Sequence, residues 1–188
     1  RVADRVLARR AGDGLSAAEV AVGADTFVPR RGPGAWVPTA PDSAPSQPSL
    51  GSARPFLVAP GRLDVARPPA PGTAAYRADL AEVRALGAAD SATRGAAGTE
   101  TALFWADDSL SAYTQVLRGL LAGDPDRPLG ERVRLVSLFH QVTTDAQIAC
   151  FAAKYEVQRW RPVTAIREAA PDGTPLANYS WPAASNVP

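Results

Sequence analysis

The sequence predicts an all-α protein, a helical bundle that carries one long proline-rich extended segment. Three observations point there. Between Leu129 and Trp160 apolar residues recur at alternating spacings of three and four, the period of one helix face. Shorter stretches of similar character precede it, closed by Gly- and Pro-containing turns. Eleven of the 18 prolines fall between Pro29 and Pro71, where they remove amide donors and forbid continuous helix. The 188 residues are one domain's length of chain, enough for a real core.

Taken in order, Val2–Arg10 and Leu15–Val22 read as two short Ala-rich helices split by the turn Gly12-Asp13-Gly14, a hairpin packed on the rest. Residues 29–72 read as an extended, ordered wrap, because Trp36, Phe56, Leu57 and Val58 favour burial. Helix resumes near Thr73, with Tyr76, Leu80, Val83 and Leu86 on one face and Gly87 as the stop. A second helix is expected from Thr99 to Leu121, in which Asp107-Asp108 reads as a solvated face and not a metal pair. Its extra glycines before Thr99 leave the local fold there open. After the turn Gly123–Pro128, the main helix runs from Leu129 to Trp160. Leu135, Phe139, Val142, Ala146, Ala149, Ala153, Val157 and Trp160 form its expected core stripe. His140, the only histidine, falls opposite that stripe and reads as a surface residue; beyond Ile166 the chain turns irregular.

Composition excludes several classes. Charge is nearly balanced at +1 and the arginines are scattered, which gives no basic stripe for nucleic acid or anionic lipid. No apolar run approaches a membrane span. The single Cys150 has no partner for an internal disulfide and reads as a core thiol. The chain opens on Arg1, contains no methionine and shows no signal peptide; the expectation is a removed leader or a portion of a longer product.

The chemistry-bearing stretch is Lys154-Tyr-Glu-Val-Gln-Arg-Trp-Arg161-Pro162. Lys154 is the only lysine among 20 basic residues. If the helix continues, Lys154 and Arg161 lie within roughly 20° of one face and about 10 Å apart along the axis. Both sit at the margin of the stripe, on the edge of Val136 and Cys150, where two cations require an anion. Arg offers a planar fork for two oxygens and Lys a compact charge with three donors, a pairing suited to an oxyanion. Pro162 disfavours helical geometry at Arg161 and turns that guanidinium inward.

Lys-x6-Arg-Pro is the first signature motif of the vanadium-dependent haloperoxidase and type 2 phosphatidic acid phosphatase superfamily. Other stretches resemble its soluble bacterial haloperoxidase branch in the same order: Gly34–Thr39, Pro55-Phe56, Ala102–Asp107, Asp145-Ala146, Trp160–Arg167, Asp172-Gly173 and Trp181-Pro182. The resemblance implies peroxide-driven halide oxidation at a bound vanadate, with hydrogen peroxide and a halide or organic substrate as partners. It assigns Lys154 and Arg161 to the vanadate or phosphate oxygens, with Lys154 also polarising the peroxide, and places Phe151 at a substrate pocket, where core packing is the competing reading. It leaves room for a homo-oligomer and suggests a secreted or periplasmic protein.

The resemblance also implies a second motif with Ser-Gly donors and an acid–base histidine, and a third with another arginine and the histidine that binds vanadium. Only 26 residues follow Pro162 and none is histidine. The expectation is therefore the amino-terminal portion of such an enzyme, with no metal ligand of its own and no turnover alone. Two readings compete. One is a soluble acid phosphatase of the same superfamily, with phosphate in place of vanadate. The other is a non-catalytic helical domain in which Lys154 and Arg161 pair with Glu156, Glu168 or other carboxylates.

Overall fold

The computed structural model describes residues 1–39, 44–59, 65–106 and 109–170. They form seven helices in chain order: α1 (Val2–Arg10), α2 (Ala17–Thr26), α3 (Ala74–Gly87), α4 (Gly95–Ala106), α5 (Ser109–Ala122), α6 (Leu129–Val157) and α7 (Pro162–Glu168). No strand forms among the described residues, and the protein is all-α as the sequence predicts.

Local chemistry sets most boundaries. α2 begins at Ala17, two residues later than expected, because Ser16 and Glu19 close a capping box: the Glu19 amide donates to Ser16 Oγ at 3.3 Å and the Ser16 amide to Glu19 Oε2 at 3.1 Å. The Ser16 hydroxyl, donating to Glu19 Oε2 at 2.6 Å, and then the Ser16 amide hold the Glu19 carboxyl below its usual range. Thr73 caps α3, accepting from the Tyr76 amide at 3.3 Å.

Over the stretch expected as a helix from Thr99 to Leu121, the described residues are helical as α4 and α5, on either side of Asp107-Asp108, which lie outside the described residues. Helix starts early, at Gly95, because Arg94 ties the turn before it. Its guanidinium donates at 2.9 Å to the carbonyls of both Leu86 and Ala88, and through Nε to Thr99 Oγ1 at 3.0 Å. The extra glycines there are thus compatible with helix.

The main helix stops at Val157, short of Trp160. Its buried face is also not the stripe drawn from apolar spacing. Val142 is 50% exposed and Ala146 is exposed, whereas Asp145 and Ile148 are buried. Cys150, two positions and about 200° from Ile148, is exposed, so the expected core thiol is a surface thiol.

Asp145 earns its burial by accepting from the Phe56 and Leu57 amides at 2.6 and 2.8 Å. Beside it a 3-10 turn, Leu50–Ser52, lies against α6, and Leu50, Ala53 and Ile148 form one core cluster with Leu15 and Phe151 at its edge. Gly51 permits that approach. A Cβ there would lie 2.5 Å from the Ala152 amide nitrogen and 2.9 Å from the Phe151 carbonyl carbon. Backbone atoms cannot swing aside, so Gly51→Ala should cost about 3 kcal/mol, measurable as a lowered urea midpoint.

A second cluster joins α3 to α7 through Tyr76, Leu80, Trp160 and Ala165. Val83 and Leu86, expected on the same face, are 38% and 39% exposed. α1 buries no residue, and its tie to the remainder is polar: Arg10 donates to the Pro55 carbonyl at 2.9 Å and pairs with buried Asp13 at 2.6 Å. The described parts of the proline-rich segment carry the 3-10 turn and otherwise no helix. They touch the end of α6 through bonds from Tyr155 to the Ser46 carbonyl and, just past the helix, from Arg159 to the Pro69 carbonyl.

Candidate anion site

The turn that ends α6 builds the site. Gln158 takes a left-handed conformation (φ 47°, ψ 46°), and its amide donates to the Lys154 carbonyl at 2.8 Å. A non-glycine residue in that region is uncommon and carries strain, so surrounding bonds must hold it. They do. The Trp36 amide donates to the Gln158 carbonyl at 2.7 Å, and the Arg30 amide to its side-chain oxygen at 2.6 Å.

From Gln158 the chain pairs with residues 34–36. Ala35 and Arg159 form an isolated antiparallel bridge, and the Trp160 amide donates to the Gly34 carbonyl at 3.0 Å. Gly34 stands at φ 77°, a conformation that favours glycine. Trp160 is then locked into the α3–α7 core, with Nε1 donating to the Tyr76 hydroxyl at 2.9 Å. Arg161 follows with extended backbone (φ −74°, ψ 157°), as Pro162 predicts, and serves as N-cap of α7.

The two cations therefore do not meet as successive turns of one helix. Lys154 belongs to the last turn of α6, and Arg161 reaches it by way of an extended return. They nonetheless line one recess of about 80 Å³, together with Phe27, Trp36, Tyr155, Gln158 and Arg159. Burial and then the like charge of Arg161 lower the Lys154 pKa, opposed by nearby Cys150. The Lys154 ammonium stands over the Phe151 and Tyr155 rings at 4.9 and 5.3 Å from their centroids. Burial also raises the Tyr155 pKa, which Arg161 partly offsets.

Arg161 donates from Nη1 to Thr39 Oγ1 at 3.0 Å, a bond that orients the guanidinium without neutralising it. Among the described residues neither Lys154 nor Arg161 is ion-paired; Glu156 is taken by Arg67. Three cations thus share a recess with room for a small ion.

Phe151 does not line the recess: it edges the core cluster of Leu50 and Ile148, and its ring meets the site only under the Lys154 ammonium. Arg159, Gln158, Trp36 and Tyr155 line it without having been singled out as site residues. A signal for Arg159 exists in the sequence, since residues two apart on an extended strand face the same side and Pro162 makes Arg161 extended. His140 is exposed and far along α6, with its ring edge-on to Phe139. No three His, Cys, Asp or Glu side chains gather among the described residues.

Lys154 gives the site a pH signature. Its folded pKa lies below the unfolded value, so it contributes stability that rises with pH between the folded value and the ordinary one near ~10.4. A bound anion reverses the shift. Sulfate, whose charge is constant over this range, should raise Tm most well below the Lys154 pKa and lose the Lys154 share of that effect as pH climbs through it, while Arg159 and Arg161 stay charged. A sulfate increment that persists unchanged to high pH would exclude Lys154 from the anion contact.

Comparison with known protein families, with curated proteins and with solved structures gave no match. Among the described residues no helix is long and apolar enough to cross a membrane.

Proposed function

We propose that this chain carries the first half of an oxyanion site of the vanadium-dependent haloperoxidase type. The observation that carries the reading is the convergence of Lys154 and Arg161 on one small recess without a carboxylate paired to either among the described residues. Arg161 is half-buried, and Lys154, though exposed, is partly desolvated beside it, so the pair favours a counter-charge. A tetrahedral oxyanion supplies it and matches the donors: the Arg161 fork for two oxygens, the Lys154 ammonium for another.

The residues fit the oxygens of vanadate. They do not supply a histidine to the metal, since His140 lies outside the recess. When bound, vanadate would supply the activation of hydrogen peroxide for halide oxidation. The chain's own residues hold and neutralise the anion, and the Trp36, Phe27 and Tyr155 rings shield it from water. In this reading the catalytic histidines come from elsewhere in the enzyme, Lys154 holds a proton beside the peroxide, and the protein is exported.

Phosphate fits the same donors, which keeps an acid phosphatase of the superfamily as the second reading. Trp36 on the recess wall favours the haloperoxidase branch, whose motif it belongs to by resemblance. The structural ion-pair reading finds no pair to support it among the described residues, because Glu156 is paired with Arg67.

Two measurements test the proposal. Vanadium NMR on this chain should show vanadate binding that phosphate displaces. The product of the whole reading frame that contains these residues, loaded with vanadate, should then oxidise bromide with hydrogen peroxide. Hydrolysis of phosphate monoesters without bromide oxidation would establish the phosphatase instead; no binding of either anion would sink both.

A further inference from the structure

A second, larger recess of about 680 Å³ opens between α1, the residues after the 3-10 turn and the first half of α6. It lies away from the anion site: His140 on its wall precedes Lys154 by fourteen residues, about 21 Å of helix. Arg9, Arg10, Arg54 and His140 line it, and no carboxylate does.

The neighbouring carboxylates are already engaged. Asp13 accepts from Arg10 Nε at 2.6 Å and from the Leu15 amide at 3.0 Å. Asp145 is held by the Phe56 and Leu57 amides. Arg10 is therefore neutralised, and its guanidinium stacks on the Phe56 ring at 3.9 Å from the centroid. Arg54 donates to the Arg9 carbonyl, a neutral acceptor at the end of α1. The Arg9 guanidinium has no acceptor among the described residues, so two guanidiniums at this recess carry uncompensated charge.

We propose that this recess binds a small organic phosphate monoester, with its phosphate on Arg9 and Arg54 and its carbon skeleton against Phe56 and Val6. Size and lining decide the class. The volume lies within the ordinary range for small-molecule pockets and far exceeds the space a bare inorganic anion fills. Guanidinium forks match phosphate oxygens in pairs, which favours this headgroup over a neutral polar one. Phe56, 38% exposed, and Val6, 39% exposed, give an apolar surface beside the cations. An arginine anchored on an aromatic ring, as Arg10 is, provides a rigid floor.

The inference does not depend on the function proposed for Lys154 and Arg161, and its test removes that site. In a Lys154→Gln/Arg161→Gln background, phenyl phosphate titrated by calorimetry should still bind, and more tightly than inorganic phosphate by about tenfold or more. Adding Arg9→Glu should weaken it at least tenfold, while Arg9→Lys, which keeps the charge and loses the fork, should weaken it by a smaller factor; Arg9 is exposed and both changes should leave the circular dichroism unchanged. His140→Gln gives an independent reading from α6, with a smaller loss expected. No binding in the double-variant background, or binding indifferent to both Arg9→Glu and His140→Gln, overturns the proposal. Equal affinity for phenyl phosphate and inorganic phosphate overturns its organic part. Failure of vanadate binding in the unmodified chain bears only on the other recess.

Discussion

Arg161→Gln should weaken vanadate and phosphate binding about tenfold to a hundredfold and leave the fold in place. A charge-assisted hydrogen bond is worth about 1.5–3 kcal/mol, which converts to that range. Arg161 is half-buried, is held by Thr39 and shares the recess with Lys154, so glutamine removes a fork from a formed site without emptying a core. Lys154→Gln should reduce affinity by a similar or smaller factor, because the ammonium is exposed enough to be partly hydrated.

Stability without anion separates this reading from a structural one. Arg161 lowers the Lys154 pKa, so the pair repels, and removing Arg161 should raise that pKa and leave Tm unchanged or slightly higher. If the two cations instead served buried carboxylates, each single variant would lower Tm. Calorimetric titration and thermal melts of the same two variants decide it, and unchanged affinity in Arg161→Gln would remove the arginine from the site.

Asp145→Ala should destabilise the protein by about 3 kcal/mol, the largest loss expected from a single polar side chain here. Two backbone donors, Phe56 and Leu57, lose a charged acceptor at once, and each such bond contributes about 1.5–3 kcal/mol. Phe56 and Leu57 are partly exposed, so water recovers a share of the loss. Asp145→Asn should cost less, since the amide oxygen still accepts one of the two bonds. Urea denaturation measures both. A loss under about 0.5 kcal/mol for the alanine variant would mean that the segment after the 3-10 turn is held to α6 by apolar contact alone.

The same residue shows where sequence reading stops. Apolar spacing along α6 drew a stripe through Val142 and Ala146, whereas the buried face runs through Asp145 and Ile148. A carboxylate counts as solvated in any periodicity argument. Only the amides of Phe56 and Leu57, 89 and 88 residues away, make its burial favourable. The rotation of the face that follows also moved Cys150 from the expected core to the surface.

What the sequence by itself determined is what neighbouring residues enforce on one another. It specified helix as the element type, α1 over Val2–Arg10, the start of α6 at Leu129 and, through Pro162, the extended backbone of Arg161. It also singled out Lys154 and Arg161 as cations in want of an anion. Their meeting was decided elsewhere. On a continuous helix they would lie two turns apart; in the structure α6 ends at Val157, and a left-handed Gln158 returns the chain so that Arg161 faces the same recess. No local preference places glutamine at positive φ. Bonds from Arg30 and Trp36, more than a hundred residues earlier, offset that strain, and only tertiary structure brings them there.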